Sequence, residues 1–323
     1  MTRGTTGPEL PGTLGGAGWV PRAGTHADDV ERGELWTACG YRHEWTPLRA
    51  VQLARPPASF AAVTDVRDHL MEAPVDLGAL RAETEGIAEA FRDEGVRVRF
   101  VHPPATCPPN VVFQRDLFFM TPEGAVLARA ASAQRAGEER HTAHALSAAG
   151  YPILRTVGGA ATFEGADALW LDERTVAVGV GFRTNAAGAR AVREALRDQG
   201  AEVVEVPLAR GVQHLLGTVV PLAERFAAVR RDTVTPPLRR LLAERDYDLV
   251  EFPDDEDVVR RRGMNLVALG PRRVLVPAGA PSVRRALERS GVDVREVPTT
   301  QHVRAAGGLG CVTGVLHRAA PGG

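Results

Sequence analysis

The chain has 323 residues, of which 44% are hydrophobic and 24% are charged, and its formal net charge at pH 7 is -1. These values are typical of a soluble globular protein with a hydrophobic core, and a nearly neutral chain has no electrostatic basis for a nucleic-acid or membrane partner. No apolar run approaches the ~18–20 residues that a membrane-spanning helix needs.

The three cysteines, Cys39, Cys107 and Cys311, are widely spaced along the chain. An odd number at such spacing is not a disulfide framework, and the chain has no C-x-x-C pair that would indicate zinc. We therefore expect a reducing, cytoplasmic location, in keeping with an N-terminus that lacks the pattern of a signal peptide. Residues 1–40 begin with a segment rich in Gly, Pro and Thr and are predicted to form a mobile tail.

Further along, a helical stretch rich in Ala, Arg and Glu leads five times through a turn residue into a short apolar strand. These endings lie at 94–103, 150–158, 200–207, 245–253 and 291–298. They recur every ~45–55 residues, a period that indicates an array of supersecondary units.

Each unit also carries strands before its helix, as at 168–171 and 175–179 in the third unit. In the fifth unit, Ser282 is the expected N-cap of the helix. The units therefore have the order β-β-α-β. We predict an α/β fold in which five ββαβ units close into a propeller with pseudo-fivefold symmetry, because closure hides the sheet edges. The segment 309–317 would supply a strand missing from the first unit, and an irregular α/β sandwich is the alternative.

The first two chemically distinctive motifs stand just before or on early strands of successive units. Arg115 and Asp116 lie inside the apolar stretch 113–119. Burial of a charge is costly unless the group is paired or serves a ligand, so the pair either binds a ligand or forms a structural ion pair. In the next unit Glu164 and Asp167 flank two small residues, which indicates either close approach of a ligand to the backbone or a turn with acids on its rim.

The last two motifs are His214, within the apolar stretch 211–217, and Cys311, which follows three glycines in 307–310. Taken alone, such a histidine is more often a core residue and a free cysteine often packs as a small hydrophobe. The glycines indicate close approach of the backbone to a ligand. Four motifs in this order are far more specific than any one of them.

The order Arg-Asp, Glu-Gly-x-Asp, His-Leu and Gly-Gly-x-x-Cys resembles the guanidine-modifying superfamily of arginine deiminases, amidinotransferases and dimethylarginine dimethylaminohydrolases. The resemblance extends from about Trp45 to His317, and the stretches 181–188 and 310–313 look most like the dimethylarginine dimethylaminohydrolases. It implies the five-bladed pentein propeller that the repeats independently predict, with residues 41–318 as a single catalytic domain.

The resemblance also implies roles for individual residues. Cys311 would attack a guanidinium carbon, and His214 would protonate the leaving amine and then activate water. Asp116 and Glu164 match carboxylates that bind the guanidinium or orient the histidine. Asp167 completes the motif or has a structural role.

Arg135 and Arg183 lie nineteen residues after Asp116 and Glu164, respectively. These places match family arginines that bind the α-carboxylate of an arginine-like substrate, for which a guanidinium fork is well suited; the alternative is a solvated surface charge. The segment 55–60 is the candidate lid, with Phe60 as a substrate contact. No metal or organic cofactor is implied, and a homodimer is expected by analogy.

One departure from the superfamily bears on the substrate. Many members carry His-x-Asp, whereas this chain has His214-Leu215-Leu216 and lacks that carboxylate. An apolar space would favour a small-molecule guanidino substrate with an Nω-substituent, so the leading hypothesis is hydrolysis of a methylated L-arginine to L-citrulline and an amine. An amidinotransferase is the second hypothesis, an arginine deiminase the third, and a non-catalytic binding protein the alternative of another class.

Overall fold

The computed structural model describes residues 10–322. The first nine residues of the predicted mobile tail lie outside the described residues. A helix spans His26–Arg32, and Thr25 is its N-cap residue. The Thr25 side chain accepts a hydrogen bond from the Asp28 amide in a capping box. His26 contacts the Glu123 carbonyl oxygen at 2.9 Å. Mobility of residues 1–40 stays a prediction.

The described residues form five three-stranded sheets, which confirms the prediction of five units. The strands are β1 Leu48–Ala54, β2 Arg97–Val101, β3 Phe118–Thr121, β4 Gly124–Leu127, β5 Ile153–Thr156, β6 Ala168–Asp172, β7 Thr175–Val180, β8 Glu202–Pro207, β9 Val219–Ala223, β10 Phe226–Arg230, β11 Asp248–Phe252, β12 Val267–Gly270, β13 Arg273–Pro277, β14 Asp293–Val297 and β15 Gly314–Arg318.

Each sheet has the same connectivity. In each sheet the middle strand pairs antiparallel with one neighbour and parallel with the other. In the sheet β6-β7-β8, β7 is antiparallel to β6 and parallel to β8. A parallel pair needs a crossover connection, and a helix supplies it. The helices are α1 His26–Arg32, α2 Leu77–Asp93, α3 Gln114–Leu117, α4 Glu139–Ala148, α5 Ala186–Leu196, α6 Pro236–Ala243, α7 Glu256–Val259, α8 Pro281–Arg289, α9 Thr300–Arg304 and α10 Leu309–Val312.

The first sheet is completed by the C-terminal strand, in the order β15-β1-β2. Val51 of β1 faces Val315 of β15 in an antiparallel register. This pairing confirms that the last segment supplies the strand missing from the first unit. It also ties the two ends of the domain together and closes the ring.

The helix caps agree with the sequence in one place and differ in another. Asn185 caps α5 through its side chain, as its position before the helix predicts. The prediction that Ser282 caps α8 is wrong, because the helix begins at Pro281 and Ala280 is the N-cap residue. Proline is favoured at the first helical position because an N–H at that position would have no partner within the helix. Ser282 instead donates its hydroxyl to Asp255 at 3.0 Å.

The first strands of the sheets form the buried interior of the ring, and β3, β9 and β12 are buried along their whole length. The connections that precede these strands meet at one end of the ring, where α3 contacts α10 and the turn 165–167 contacts the turn 215–217. All four sequence motifs lie in these connections. No helix among the described residues is long and apolar enough to cross a membrane.

Candidate active site

His214 lies at the centre of a buried group of charged side chains. It occupies an extended position directly before the short turn Leu215–Gly217 that leads into β9. Its Nε2 is 2.7 Å from Glu164 Oε2, and its Nδ1 is 3.7 Å from Asp116 Oδ1. Three of the sequence motifs are therefore brought together in space, from three different sheets.

The charges around His214 favour its imidazolium form. Burial alone would lower the pKa of His214, but the negative charge of Asp116 and the hydrogen bond to Glu164 outweigh it and raise the pKa to about 9. The same hydrogen bond holds the pKa of Glu164 well below its usual range, against the opposing effect of burial. Near neutral pH, His214 is therefore an acid with a proton to donate.

Asp167 supports the turn that follows His214. Its Oδ1 accepts a hydrogen bond from the Leu215 amide at 2.9 Å. The carboxyl is fully buried, and burial raises its pKa to about 6 despite the positive charge of His214. These contacts favour the structural alternative for Asp167.

The two arginines of the sequence prediction lie against the site acids. Arg135 is 1% exposed, and its Nη1 donates to Asp116 Oδ2 at 2.6 Å. Arg183 Nη1 donates to both carboxylate oxygens of Glu164 at 3.2 Å. Neither is a solvated surface charge. Binding of a substrate α-carboxylate by these arginines stays a prediction.

Glu138 is a member of the cluster that the sequence argument missed. It is fully buried, and its Oε2 accepts from Arg135 Nε at 2.9 Å. Burial raises the pKa of Glu138 to about 8, although the charge of Arg135 opposes the shift. The signal available in the sequence was an acid three residues after an arginine, a spacing at which helical side chains meet.

Cys311 is half-buried in α10, which packs against the helix that carries Asp116. Burial and the negative charge of Asp116 raise the pKa of the Cys311 thiol, whereas the Arg262 charge and a hydrogen bond from Asn265 lower it. The thiol is thus brought to the same end of the ring as the acids. The effects of Arg262, Asn265 and the Gly308 backbone do not cancel burial and Asp116, so the pKa of the thiol stays above its ordinary value.

The glycines of the motifs serve packing within the protein. A Cβ at Gly307 would lie 2.0 Å from Phe113 Cε1, and one at Gly165 would lie 2.1 Å from the Phe118 carbonyl oxygen. Neither distance is sterically allowed, so glycine is required at both positions. Packing is therefore one reason for glycine at both positions, and approach of a ligand to this backbone stays a prediction.

Phe60 lies in the short turn Ala58–Ala62 and is 3% exposed, packed within the main hydrophobic cluster. The neighbouring Ser59 donates its hydroxyl to the Cys107 carbonyl oxygen at 2.6 Å. The segment is therefore anchored by one buried aromatic ring and one hydrogen bond. Contact of Phe60 with a substrate and closure of this segment over the site stay predictions.

One group of potential metal ligands exists among residues 10–322. Donor atoms of Asp116, Glu164 and His214 lie within 4.8 Å of one another. The guanidinium of Arg135 contacts both acids, Asp116 at 2.6 Å and Glu164 at 3.5 Å, and so supplies positive charge at this place. The sequence implies no metal, and the absence of a metal stays a prediction.

Asn265 is the second residue that the sequence argument missed. It precedes β12, at the place where the other sheets present Asp116, Glu164, His214 and Cys311. The pseudo-fivefold repeat was the available signal, because it predicts that the fifth sheet also contributes a side chain from this connection.

Comparison with known proteins agrees with these features. Residues 97–235 match the family described as arginine deiminase. An uncharacterized protein from Bacillus subtilis, YkgA, is 26% identical over 90% of this chain and 98% of its own length. The N(G),N(G)-dimethylarginine dimethylaminohydrolase of Streptomyces coelicolor is 28% identical over 76% of this chain and 88% of its own.

Solved structures share the fold. A dimethylarginine dimethylaminohydrolase from Pseudomonas aeruginosa, a cysteine-to-serine mutant complexed with citrulline, has a TM-score of 0.68 at 21% identity over 84% of this chain and all of that one. The amidinotransferase SxtG from Microseira wollei has a TM-score of 0.73 at 16% identity over 87% and 98%. Together with the relatives and the five closed sheets, these similarities show the fold and support the resemblance to the guanidine-modifying superfamily, close to the dimethylarginine dimethylaminohydrolases.

Proposed function

We propose that this protein hydrolyses a C–N bond of an Nω-substituted, methylated L-arginine, giving L-citrulline and an amine. The observation that carries the proposal is the buried His214 side chain, whose Nε2 lies 2.7 Å from Glu164 Oε2 at the end of the ring where Cys311 lies. A guanidinium is a poor electrophile, so its cleavage needs a strong nucleophile together with an acid for the leaving amine. The proposal assigns these roles to Cys311 and His214.

In the first half-reaction, the Cys311 thiolate attacks the guanidinium carbon and forms a C–S bond. His214 then donates its proton to the substituted nitrogen. The C–N bond breaks, and the amine leaves. A covalent thiouronium on Cys311 and a neutral His214 remain, so His214 is then ready to act as a base.

In the second half-reaction, neutral His214 takes a proton from water as the water oxygen attacks the thiouronium carbon. The C–S bond breaks, and its electron pair returns to the Cys311 sulfur. The hydroxyl on the former guanidinium carbon loses its remaining proton, which the released amine takes up, and citrulline leaves with a C=O group. His214 ends protonated and Cys311 ends as thiolate, so the site is restored for the next turnover.

Asp116 is the residue that we assign to the substrate guanidinium. Its Oδ2 is taken by Arg135, but its Oδ1 is buried and accepts no hydrogen bond from any described residue. An acceptor left without a donor in the interior is costly, and a guanidinium N–H would satisfy it. Glu164 orients His214, and Arg135 and Arg183 are the proposed partners of the substrate α-carboxylate.

Leu216 supports a substituted rather than a free guanidinium. Its side chain is 7% exposed, and its Cδ2 would lie 3.3 Å from a Cβ placed on Gly310, the residue before Cys311. An apolar side chain thus lies beside the nucleophile's turn, where His-x-Asp members carry a carboxylate. A methyl substituent gains by burial against such a surface.

The test is mass spectrometry of the products formed from a panel of arginine derivatives. We expect citrulline from monomethyl- or dimethyl-arginine, and we expect Cys311→Ser to abolish it. Cys39→Ser is the matched control, because that thiol lies outside the site and should leave turnover intact. Wild-type protein that releases no citrulline from any methylated or free arginine would refute the proposal.

Amidino transfer is the second candidate, because the same thiouronium can be released by an amine in place of water. The fold shared with SxtG is compatible with either outcome. The two reactions are separated by trapping the Cys311 adduct and adding water alone or water with an amine acceptor. A new substituted guanidine from the acceptor would favour transfer. A homodimer, a cytoplasmic location and the absence of a nucleic-acid or membrane partner stay predictions.

A further inference from the structure

The connection between α7 and β12 carries two side chains to which the sequence argument assigned no role. These are Arg262 and Asn265. Both come from the fifth sheet, so each of the five sheets contributes to the same end of the ring. The two residues are held in one turn, in which the Asn265 amide donates to the Arg262 carbonyl oxygen at 2.8 Å.

Both the nitrogen and the oxygen of the Asn265 side-chain amide form hydrogen bonds with Cys311. Its Nδ2–H donates to Cys311 Sγ at 3.2 Å, and its Oδ1 accepts from the Cys311 amide at 3.1 Å. The Asn265 carbonyl oxygen also accepts from the Gly310 amide at 3.0 Å. An N–H aimed at sulfur favours the thiolate over the thiol, because a charged acceptor makes the stronger hydrogen bond.

Arg262 brings a positive charge to the same thiol. It adopts a left-handed backbone with φ of 52°, which is costly for a residue with a side chain. Its guanidinium pairs with Glu72 on the rim of the site, and its Nε is buried and donates to no acceptor in the described part of the chain. A strained, half-satisfied arginine beside a nucleophile indicates a functional constraint.

One acid near Cys311 disfavours the thiolate. Asp116, on the helix packed against α10, opposes it by its negative charge. Arg115 on that helix is directed elsewhere and donates to Glu44 at 3.2 Å. Arg262 and Asn265 are thus the two side chains, among residues 10–322, whose effects on Cys311 oppose burial and Asp116.

We propose that Asn265 positions the Cys311 sulfur and stabilises its thiolate, with Arg262, held in the same turn, in a supporting role. Both act through Cys311 and are positioning residues. The proposal rests on the proposed role of Cys311 as the nucleophile.

The experiment measures the rate of Cys311 alkylation by iodoacetamide from pH 6 to pH 10, with mass spectrometry of the Cys311 peptide. Asn265→Asp keeps the acceptor for the Cys311 amide but places a negative oxygen against the sulfur. We expect it to raise the pH midpoint of alkylation by about one unit or more. Arg262→Gln should raise the midpoint by less, and Arg262→Lys should restore most of it.

Arg261→Gln is the matched control. Arg261 is the neighbouring arginine, but it pairs with Glu256 and Asp257 on its own connection. Its loss should leave the midpoint unchanged. If Asn265→Asp does not fold, as judged by circular dichroism, Asn265→Ala is measured instead, since it removes both bonds without adding a charge and should shift the midpoint in the same direction.

Two results would overturn the inference. One is an unchanged midpoint in the folded Asn265 variant, and the other is an equal shift in Arg261→Gln. For turnover, the inference predicts a lower kcat at neutral pH with KM little changed, and the ratio of variant kcat to wild-type kcat should rise toward one as the pH increases. Because alkylation needs no substrate, it still tests the thiolate if wild-type protein makes no citrulline, so failure of the proposed function is seen separately.

Discussion

Two clusters of buried charges meet at α3, where neighbouring residues belong to different clusters. The His214 cluster lies at the site and consists of Asp116, Arg135, Glu138, Glu164, Asp167, Arg183 and His214. The Glu44 cluster lies toward the other end of β15 and consists of Tyr41, Glu44, Arg115 and Arg318. Arg115 and Asp116 do not pair with each other, so a structural ion pair between them is excluded as the reason for this motif.

The two clusters differ in what they leave unsatisfied. In the His214 cluster the buried atoms without a hydrogen-bond partner in the described structure are acceptors, and they are Asp116 Oδ1, Glu138 Oε1 and Asp167 Oδ2. In the Glu44 cluster they are the Nε donors of Arg115 and Arg318. Of these atoms, Asp116 Oδ1 is the acceptor that suits a cationic ligand, and of the two clusters only the His214 cluster contains a histidine. We infer that one cluster serves chemistry and the other serves stability.

Among the substitutions that distinguish the two clusters, His214→Gln should have the largest effect on kcat. Loss of the proton donor should lower kcat by roughly 10²–10⁴-fold, the usual contribution of general acid–base catalysis. Steady-state citrulline formation from a methylated arginine is the measurement. Arg318→Gln in the other cluster is the comparison, and a similar fall in kcat for both would contradict the division of roles.

The largest effect on stability should come from Glu44→Gln. Glu44 accepts from Arg115 at 3.2 Å, and its negative charge also acts on Arg318, whose pKa burial lowers to about 10. Removal of the acid leaves two cations buried without their partner, a loss of about 3–5 kcal/mol. Urea denaturation measures it. The exposed Glu224, changed to Gln as a control, should alter the free energy of unfolding by less than about 0.5 kcal/mol.

The pH dependence should be carried by the His214 cluster. The folded-state pKa of His214, about 9, is above its ordinary value, so its contribution to stability is complete below about pH 6.5 and is lost as pH rises through 9. The loss should be on the order of 1–3 kcal/mol. Denaturation curves at pH 6.5 and 9.5 measure it. Glu138, whose pKa burial raises to about 8, loses stability over part of the same range, so His214→Gln should reduce the difference without abolishing it. The kcat of the proposed hydrolysis should fall over the same range, because the acid loses its proton.

The division of roles could be predicted only in part from the sequence. The repeat gave the five sheets, and the closing pair β1–β15 followed from the strand missing in the first unit. The motifs placed Asp116, Glu164, His214 and Cys311 in equivalent connections, because a repeated connection ends at the same place on the ring. Those inferences needed only periodicity and the order of residue types along the chain.

What the sequence could not predict depends on side-chain contacts between distant segments. The sequence does not assign Glu138 to the site, because that requires knowing that Arg135 is buried with Asp116. It does not assign Asn265 either, because that requires knowing that the Asn265 side-chain amide contacts Cys311. The packing reason for Gly307 could not be inferred from the sequence, because its neighbour in space, Phe113, lies almost two hundred residues away along the chain. Steric reasons for glycine are invisible until the packing partner is known.

The smallest effect concerns the substituent on the guanidinium and tests the site against its own relatives. Leu216→Asp restores a carboxylate two residues after His214, beside the turn of Cys311. The new acid should bind the N–H groups of free arginine and should lose the apolar contact with a methyl group, worth about 0.8 kcal/mol per buried methylene. We therefore expect the ratio of kcat/KM for methylated over free arginine to fall by about tenfold, which corresponds to about 1.4 kcal/mol.

Leu216→Asn, which has nearly the same shape as Leu216→Asp and no charge, separates the effect of charge from that of lost apolar surface. If the ratio is unchanged in both variants, Leu216 does not face the substituent, and the preference for a methylated guanidinium must come from other residues around Cys311.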